Sequence, residues 1–317
     1  MVLYVFLFSV GLLVLYLGAE GLIQGASSIA LQYGIRPVLI GLTVVAVGTS
    51  MPEFLVNFFA LLTAESSLAI GNIIGSNISN VALILGTCAL VLPLAVAPEV
   101  LKREYPVMLG VMVLFYVCAL DGVIGAVDGA IMVLLLLGLG IYVFYDARRT
   151  TTATILESME GELETADPEM TALAKGVYVF GGIGGLALGA HLMVDNAVAI
   201  ADLMGIDHVV IGLTVVAIGT SLPELAASMV GALKEEAEMT IGNVLGSNLL
   251  NVLFVVGTLS IAEPIPVDPE TIRLHFPVML AFCALLVPLT WTKYEISRIE
   301  GGFMVATFIG YMVFLYV

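Results

Sequence analysis

The stretch GLTVVAVGTSMPE at residues 41–53 returns as GLTVVAIGTSLPE at residues 212–224. A second stretch, GNIIGSNISNV at 71–81, returns as GNVLGSNLLNV at 242–252 with the same offset of 171 residues. Each copy of the first stretch places one proline and one glutamate inside a hydrophobic segment. Two blocks in one register indicate that the chain is an internal duplication.

The composition predicts a polytopic membrane protein. Hydrophobic residues make up 60% of the 317 residues, charged residues only 11%, and the mean hydropathy is +1.12. A helix needs about 20 residues to cross a hydrocarbon core of roughly 30 Å. The apolar runs lack the alternating polarity of membrane barrels, so we predict an all-α fold of ten transmembrane helices near residues 2–31, 38–62, 68–92, 104–119, 123–145, 172–204, 209–232, 239–261, 272–290 and 300–317.

The basic residues predict how the chain is oriented. All but Arg273 of the ten Lys and Arg residues fall on the connections at one side, which marks that side as cytoplasmic. Both termini are then extracellular, and five spans per half, an odd number, invert the second half relative to the first. We predict one domain in the cell membrane, made of a five-helix repeat at 1–145, an acidic cytoplasmic linker at 146–171 and an inverted five-helix repeat at 172–317. Inverted repeats with interrupted helices are typical of secondary transporters.

Several function classes are disfavoured by the composition and the motifs. The net charge of -16 without basic clusters argues against nucleic-acid binding. The three cysteines lie in apolar runs and suit packing better than a disulfide framework or a thiolate metal site. The chain has no GxSxG elbow, no HExxH helix and no phosphate-binding glycine loop, so we predict no enzyme activity. No cofactor and no obligatory protein partner are expected; the predicted partners are the lipid bilayer and small cations.

The repeated glutamates, Glu53 and Glu224, are the strongest candidate functional residues. Ionisable groups in lipid-embedded helices are costly and usually mark an ion or proton pathway. Pro52 and Pro223 are expected to expose backbone oxygens near these glutamates. Each proline lacks the N–H that would bond to the carbonyl four residues earlier. Helical spacing places the following residues on the glutamate faces: Ala46, Thr49 and Ser50 with Glu53, and Ala217, Thr220 and Ser221 with Glu224.

Polar stripes on the third and eighth spans add further oxygens. The stripes occupy positions i, i+4 and i+8 and consist of Asn72, Ser76 and Asn80, repeated as Asn243, Ser247 and Asn251. Two carboxylates and several neutral oxygens, without His or Cys nearby, suit Ca²⁺, Na⁺ or Mg²⁺. Calcium fits best, because it accepts roughly six to eight oxygens in flexible geometry. The glycines beside the stripes, Gly71, Gly75, Gly242 and Gly246, predict close helix packing.

The pairs GTSMPE with GNIIGSN and GTSLPE with GNVLGSN resemble the two alpha-repeats of the sodium/calcium exchanger family, within the calcium/cation antiporters. The similarity covers essentially the whole chain and implies an antiporter that exchanges Na⁺ for Ca²⁺ by alternating access. It implies that Glu53 and Glu224 ligate Ca²⁺ with backbone oxygens of Thr49 and Thr220. The remaining implied residues are the Na⁺ ligands Ala46, Ser50, Ser76, Ala217, Ser221 and Ser247, with Asn80 and Asn251 completing the cluster.

Two departures from other members stand out. Some members carry an aspartate at one of the last two positions, whereas Asn80 and Asn251 are both neutral, which leaves two formal negative charges. The linker is also too short for the large calcium-regulatory domain of the animal exchangers, so the resemblance is to a prokaryotic-type member.

Two alternatives remain open on the sequence alone. The first is an H⁺/Ca²⁺ antiporter on the same scaffold, in which the glutamates are protonated on the return step. Glu20 and His191 occupy aligned positions, and for them packing or hydrogen bonding is favoured over a proton relay. The second is a channel that uses these oxygens as a filter.

Overall fold

Long apolar helices occupy the segments that the hydropathy pattern predicts as spans. The computed structural model describes residues 1–62, 66–149, 166–167, 169–204, 217–290 and 294–316. The helices of the first half are α1 (Val2–Tyr33), α2 (Pro37–Ile40, π-helical Gly41–Val45, then Ala46–Leu62), α3 (Ser66–Ser79, π-helical Asn80–Leu85, then Gly86–Val91), α4 (Pro98–Lys102), α5 (Glu104–Ala119) and α6 (Ala126–Arg149). Those of the second half are α7 (Ala172–Leu203), α8 (Ala217–Thr220), α9 (Leu222–Leu233), α10 (Ala237–Leu250, π-helical Asn251–Val256, then Gly257–Ala262), α11 (π-helical Thr271–His275, then Phe276–Thr290) and α12 (Arg298–Tyr316).

The structure confirms the all-α polytopic class. Eight of the described helices are long and apolar enough to cross a bilayer. Helices α5 and α9, of 16 and 12 residues, are shorter, and the predicted span 209–232 lies partly outside the described residues, as do residues 150–165 and 168 of the predicted linker. The count of ten spans therefore stays a prediction.

Four two-residue strands, which the hydropathy pattern does not reveal, join the loops. Strand β1 (Leu94–Ala95) pairs antiparallel with β4 (Glu295–Ile296), and β2 (Val123–Ile124) pairs with β3 (Ile265–Pro266). Because β2 takes up the start of the predicted span 123–145, helix α6 begins only at Ala126. Each ladder joins two loops that the charge pattern assigns to the same side of the membrane.

Helices α1 and α7 pack against each other along much of their length, and glycine makes this approach possible. A Cβ on Gly18 would overlap the backbone of Gly182 and Gly185, and a Cβ on Gly189 would overlap the backbone of Leu15. Small residues at such contacts let helix backbones come together in a membrane. The pairing places these two helices beside α2 and α9, which carry the glutamates.

An ion-pair network around the buried Glu104 joins three chain segments next to the start of α2. Arg36 Nη2 lies 2.5 Å from Glu104 Oε1 and 3.0 Å from Asp146 Oδ2, and Arg103 lies 3.5 Å from Asp146. The Glu104 side chain is only 1% exposed, so its charge depends on Arg36 for compensation. The network fixes the N-terminal end of the helix that bears Glu53.

Candidate cation site

The two repeated glutamates meet in the interior of the molecule. Glu53 on α2 is 1% exposed and Glu224 on α9 is fully buried, and the two carboxylates are close enough to interact electrostatically. Ser50 Oγ lies 3.0 Å from Glu224 Oε1 and 3.1 Å from Ser247 Oγ. A hydroxyl has a single proton, so Ser50 donates to the carboxylate and accepts from Ser247. The site therefore joins residues from both repeats.

The two prolines act differently in the two halves. Pro52 lies inside the continuous helical segment Ala46–Leu62. Pro223 instead lies in the first turn of a new helix, because the chain leaves helical geometry at Ser221 (φ -92°, ψ 4°). Proline is tolerated at a helix start, where its missing N–H is not needed. The repeated motif predicts the same disruption of the helix in both halves. In the described residues, the helix is broken before Pro223 and is continuous around Pro52.

Two π-helical turns, absent from the sequence-based expectation, begin at the last asparagine of each stripe. Asn80 opens the turn Asn80–Leu85 and Asn251 opens Asn251–Val256. A π-turn inserts one extra residue into the helix and often occurs at functional sites. It shifts the face on which the residues after Asn80 and Asn251 lie, so regular helical spacing describes only the part of each stripe before the turn.

Hydrogen bonds hold the outer part of the stripes. Asn243 Nδ2 donates to Ser228 Oγ at 2.9 Å, and Asn72 Nδ2 donates to Asn57 Oδ1 at 3.3 Å, at repeat-related positions. Thr49 Oγ1 lies 3.3 Å from Asn243 Oδ1. These bonds attach the stripes on α3 and α10 to the helices that carry the carboxylates.

Five buried oxygens on the packed helices α2, α3, α9 and α10 receive no hydrogen bond of ordinary geometry from the described residues. They are both carboxylate oxygens of Glu53, Oε2 of Glu224, and the Oδ1 atoms of Asn80 and Asn251. A buried acceptor without a partner is costly, and hard cations bind such oxygens. In the described part of the chain, no three or more His, Cys, Asp or Glu side chains lie close enough together to hold a metal ion by themselves. The arrangement is thus an all-oxygen cluster with two carboxylates.

Most of the predicted site residues are buried in the structure. Ala46, Thr49, Ser50, Ser76, Asn80, Ser221, Ser247 and Asn251 are buried, and Thr220 is half-buried. Ala217 begins α8, and its side chain lies outside the described residues. Sequence reasoning missed Asn57, Asn77, Ser228 and Asn248, which bond to predicted residues or to their neighbours. Asn77 and Asn248 occupy the same position in the two copies of the GSN motif, and this repetition is the sequence signal that marks them. They lie off the i, i+4 face that carries the polar stripes.

The two residues considered for a proton relay pair with side chains other than the repeated glutamates. Glu20 pairs with Lys234 at 3.3 Å, and His191 pairs with Asp195 at 3.3 Å on an exposed face of α7. Neither pair includes Glu53 or Glu224.

The glycines next to the stripes pack differently in the two halves. Gly242 and Gly246 pack against the backbone of α2, whereas no described atom lies within 4 Å of a Cβ at Gly71 or Gly75.

Known proteins match this chain along almost its whole length. The sodium/calcium exchanger protein family matches residues 3–146 and 175–317. The putative antiporter CaxA of Alkalimonas amylolytica is 38% identical over 311 residues, covering 97% of each chain, and the sodium/calcium exchanger MaX1 of Methanosarcina acetivorans is 30% identical over 347 residues, covering 96% of each. A solved structure of the sodium-calcium exchanger NCX_Mj soaked with zero Na⁺ and Ca²⁺ has a TM-score of 0.84 at 30% identity and covers 99% of both chains. The match runs through both repeats and both halves of the cluster, and the chain belongs to the sodium/calcium exchanger family.

Proposed function

We propose that this protein is a secondary antiporter that exchanges Na⁺ for Ca²⁺ at the Glu53–Glu224 cluster. The observation that carries the proposal is a set of five buried acceptor oxygens, three from the two carboxylates and two from asparagine amides, that receive no hydrogen bond of ordinary geometry from the described residues. Two carboxylates neutralise one Ca²⁺, and the amide and hydroxyl oxygens supply further ligands without adding charge. Sodium accepts the same oxygen donors, so the two ions compete for one cluster.

The proposed ligands come from both repeats. Glu53 and Glu224 bind Ca²⁺ together with backbone oxygens of Thr49 and Thr220, and Asn80 and Asn251 complete the cluster. The proposed Na⁺ ligands are Ala46, Ser50, Ser76, Ala217, Ser221 and Ser247. A site assembled from both halves changes its access when the halves move relative to each other, and this supports alternating access.

The proposed orientation places both termini outside the cell and the linker 146–171 in the cytoplasm. It treats residues 1–145 and 172–317 as five-helix repeats of opposite orientation. Repeat-related contacts support the division into two repeats: Gly86 packs against Gly301, and Gly257 packs against Gly129. The carboxylates after the paired strands also match, because Asp128 accepts from Gly125 N at 2.9 Å and Glu300 accepts from Ser297 N at 2.8 Å.

Exchange of three Na⁺ for one Ca²⁺, as the family resemblance implies, moves one net charge per cycle. One charge crossing the membrane potential is worth about 2.3 kcal/mol per 100 mV. A negative interior then favours Ca²⁺ extrusion.

The choice between sodium and proton coupling is tested with ⁴⁵Ca²⁺ uptake into proteoliposomes whose voltage is clamped with ionophores. We expect an outward Na⁺ gradient to drive uptake and an outward H⁺ gradient without Na⁺ to leave it at background. Proton-driven uptake in the absence of Na⁺ would contradict the proposal and favour H⁺/Ca²⁺ antiport. A flux far above transporter turnover would favour a channel.

Replacing Ser50 with alanine is expected to weaken Ca²⁺ transport, with a KM about tenfold higher. The substitution removes the hydroxyl that donates to Glu224 and accepts from Ser247, and a hydrogen bond to a charged group is worth roughly 1.5–3 kcal/mol. The measurement is the Ca²⁺ concentration dependence of Na⁺-driven uptake. Ser9→Ala is the control, because Ser9 is exposed on α1 and bonds only to Val5 O among the described contacts. Equal KM values for both variants would exclude Ser50 from the site.

A further inference from the structure

Two reciprocal hydrogen bonds connect the asparagines of the two repeats. Asn80 Nδ2 donates to Asn248 Oδ1 at 3.0 Å, and Asn251 Nδ2 donates to Asn77 Oδ1 at 3.4 Å. All four residues are at most 1% exposed. Each bond runs from the last asparagine of one stripe to the GSN asparagine of the other repeat, so the pair obeys the internal symmetry of the chain.

The amide orientation of Asn77 and Asn248 is set by groups that can only accept. Asn248 Nδ2 lies 3.4 Å from the backbone oxygen of Asn77 and 3.7 Å from Met108 Sδ. Asn77 Nδ2 lies 3.8 Å from Met279 Sδ, at the repeat-related position. A carbonyl oxygen and a thioether sulfur have no proton to donate, so the NH₂ group of each amide faces them. The Oδ1 atom of each amide is thereby directed to its partner asparagine.

This order fixes the amides of Asn80 and Asn251 in turn. Their NH₂ groups are engaged by Asn248 and Asn77, and their Oδ1 atoms are the buried acceptors that receive no donor from the described residues. Rotation of either amide by a half-turn would exchange the oxygen for an NH₂ group. An NH₂ group repels a cation and removes one ligand from the cluster.

We propose that Asn77 and Asn248 are positioning residues that hold Asn80 and Asn251 with their carbonyl oxygens available to the transported cation. Asn248 acts through Asn80 and Asn77 acts through Asn251, and neither contributes a ligand itself. The inference rests on the proposed function, cation binding at the Glu53–Glu224 cluster. It predicts that substitution of Asn77 or Asn248 weakens ion binding only when the residue at position 251 or 80, respectively, is an amide, which carries one oxygen and one NH₂ group. A carboxylate there has two oxygens, so its orientation does not matter.

A double-mutant comparison tests this requirement. Asn248→Leu removes the acceptor at similar size, and we expect it to raise the KM for Ca²⁺ about tenfold with little change in maximal rate. Asn80→Asp places a carboxylate at position 80, whose two oxygens are equivalent, so its orientation no longer matters. In the Asn80→Asp background, Asn248→Leu removes an acceptor that would face the carboxylate, so it is expected not to raise the KM.

The control is Asn196→Leu, which removes a buried asparagine that bonds to Leu192 O within its own helix α7. Its KM is expected to equal that of the unmodified protein. The same comparison with Asn77→Leu, alone and with Asn251→Asp, provides a second test if Asn248→Leu does not accumulate as folded protein. A Ca²⁺-induced rise in melting temperature, smaller in Asn248→Leu than in the unmodified protein at the same Ca²⁺ concentration and restored in the double variant, supplies a readout independent of turnover.

Equal effects of Asn248→Leu in both backgrounds would show a general packing role and overturn the inference. An unchanged KM in the single variant would overturn it as well. In both cases the unmodified protein still transports Ca²⁺ with Na⁺, and the proposed function stands. Failure of the unmodified protein to bind or transport Ca²⁺ would overturn the proposed function and the inference together.

Discussion

Glu53→Gln and Glu224→Gln are each expected to lower Na⁺-driven Ca²⁺ uptake by about 100-fold or more. Glutamine has the same shape and removes one of the two negative charges in the cluster. A carboxylate and the bound Ca²⁺ form a buried pair of opposite charges, and removing one partner of such a pair costs about 2–5 kcal/mol. Each 1.4 kcal/mol corresponds to about tenfold in affinity. With only one carboxylate left, a divalent cation is no longer neutralised inside the membrane.

Initial rates of ⁴⁵Ca²⁺ uptake at several Ca²⁺ concentrations measure this loss. Asp195→Asn is the matched control, because it also neutralises a carboxylate but at an exposed position that pairs with His191. We expect the control to transport normally. Near-normal uptake by both glutamine variants would show that the cluster does not carry the ion.

Gly242→Val is expected to destabilise the protein by about 3 kcal/mol or more, enough to reduce the yield of folded protein sharply. A Cβ at Gly242 would overlap the backbone carbonyl of Val38, and the facing Gly41 makes the reciprocal contact with Met239 O. Neither backbone can move without displacing α2 from α10. Overpacking of a tight interior contact typically costs about 1–3 kcal/mol, and occasionally more.

The apparent melting temperature in detergent, followed by loss of monodisperse protein on heating, measures this effect. Gly140→Val is the control, since Gly140 is exposed on α6 and no described atom lies within 4 Å of a Cβ there. A melting temperature for Gly242→Val close to that of Gly140→Val would mean that α2 and α10 do not pack as described.

The sequence predicts the helical architecture because its signals are strong and local. Long apolar runs define the helices, and the strict offset between the repeats identifies Glu53 and Glu224 without any structural knowledge. Helical spacing places Thr49 and Ser50 on the same face as Glu53, because the chain is α-helical from Ala46 onward. Their hydrogen bonds to Asn243, Glu224 and Ser247 of the second repeat do not follow from that spacing.

Other features depend on contacts that spacing does not encode. The π-turns that begin at Asn80 and Asn251 have no signal in the helical spacing. Asn77 and Asn248 precede these turns but lie off the i, i+4 face of each stripe, so their hydrogen bonds between the two repeats become visible only in the structure. The break before Pro223, compared with the continuous helix around Pro52, also has no counterpart in the nearly identical motifs. The two-residue strands are too short to produce a sequence pattern.

The central claim is that Na⁺ and Ca²⁺ compete for one cluster built around Glu53 and Glu224. Equilibrium ⁴⁵Ca²⁺ binding to the purified protein in detergent, titrated with NaCl against choline chloride at constant ionic strength, tests it most directly. We expect one Ca²⁺ per chain, displaced cooperatively by Na⁺ but not by choline, and no such binding in Glu53→Gln or Glu224→Gln. Calcium binding that Na⁺ does not displace, or that persists in both glutamine variants, would contradict the claim.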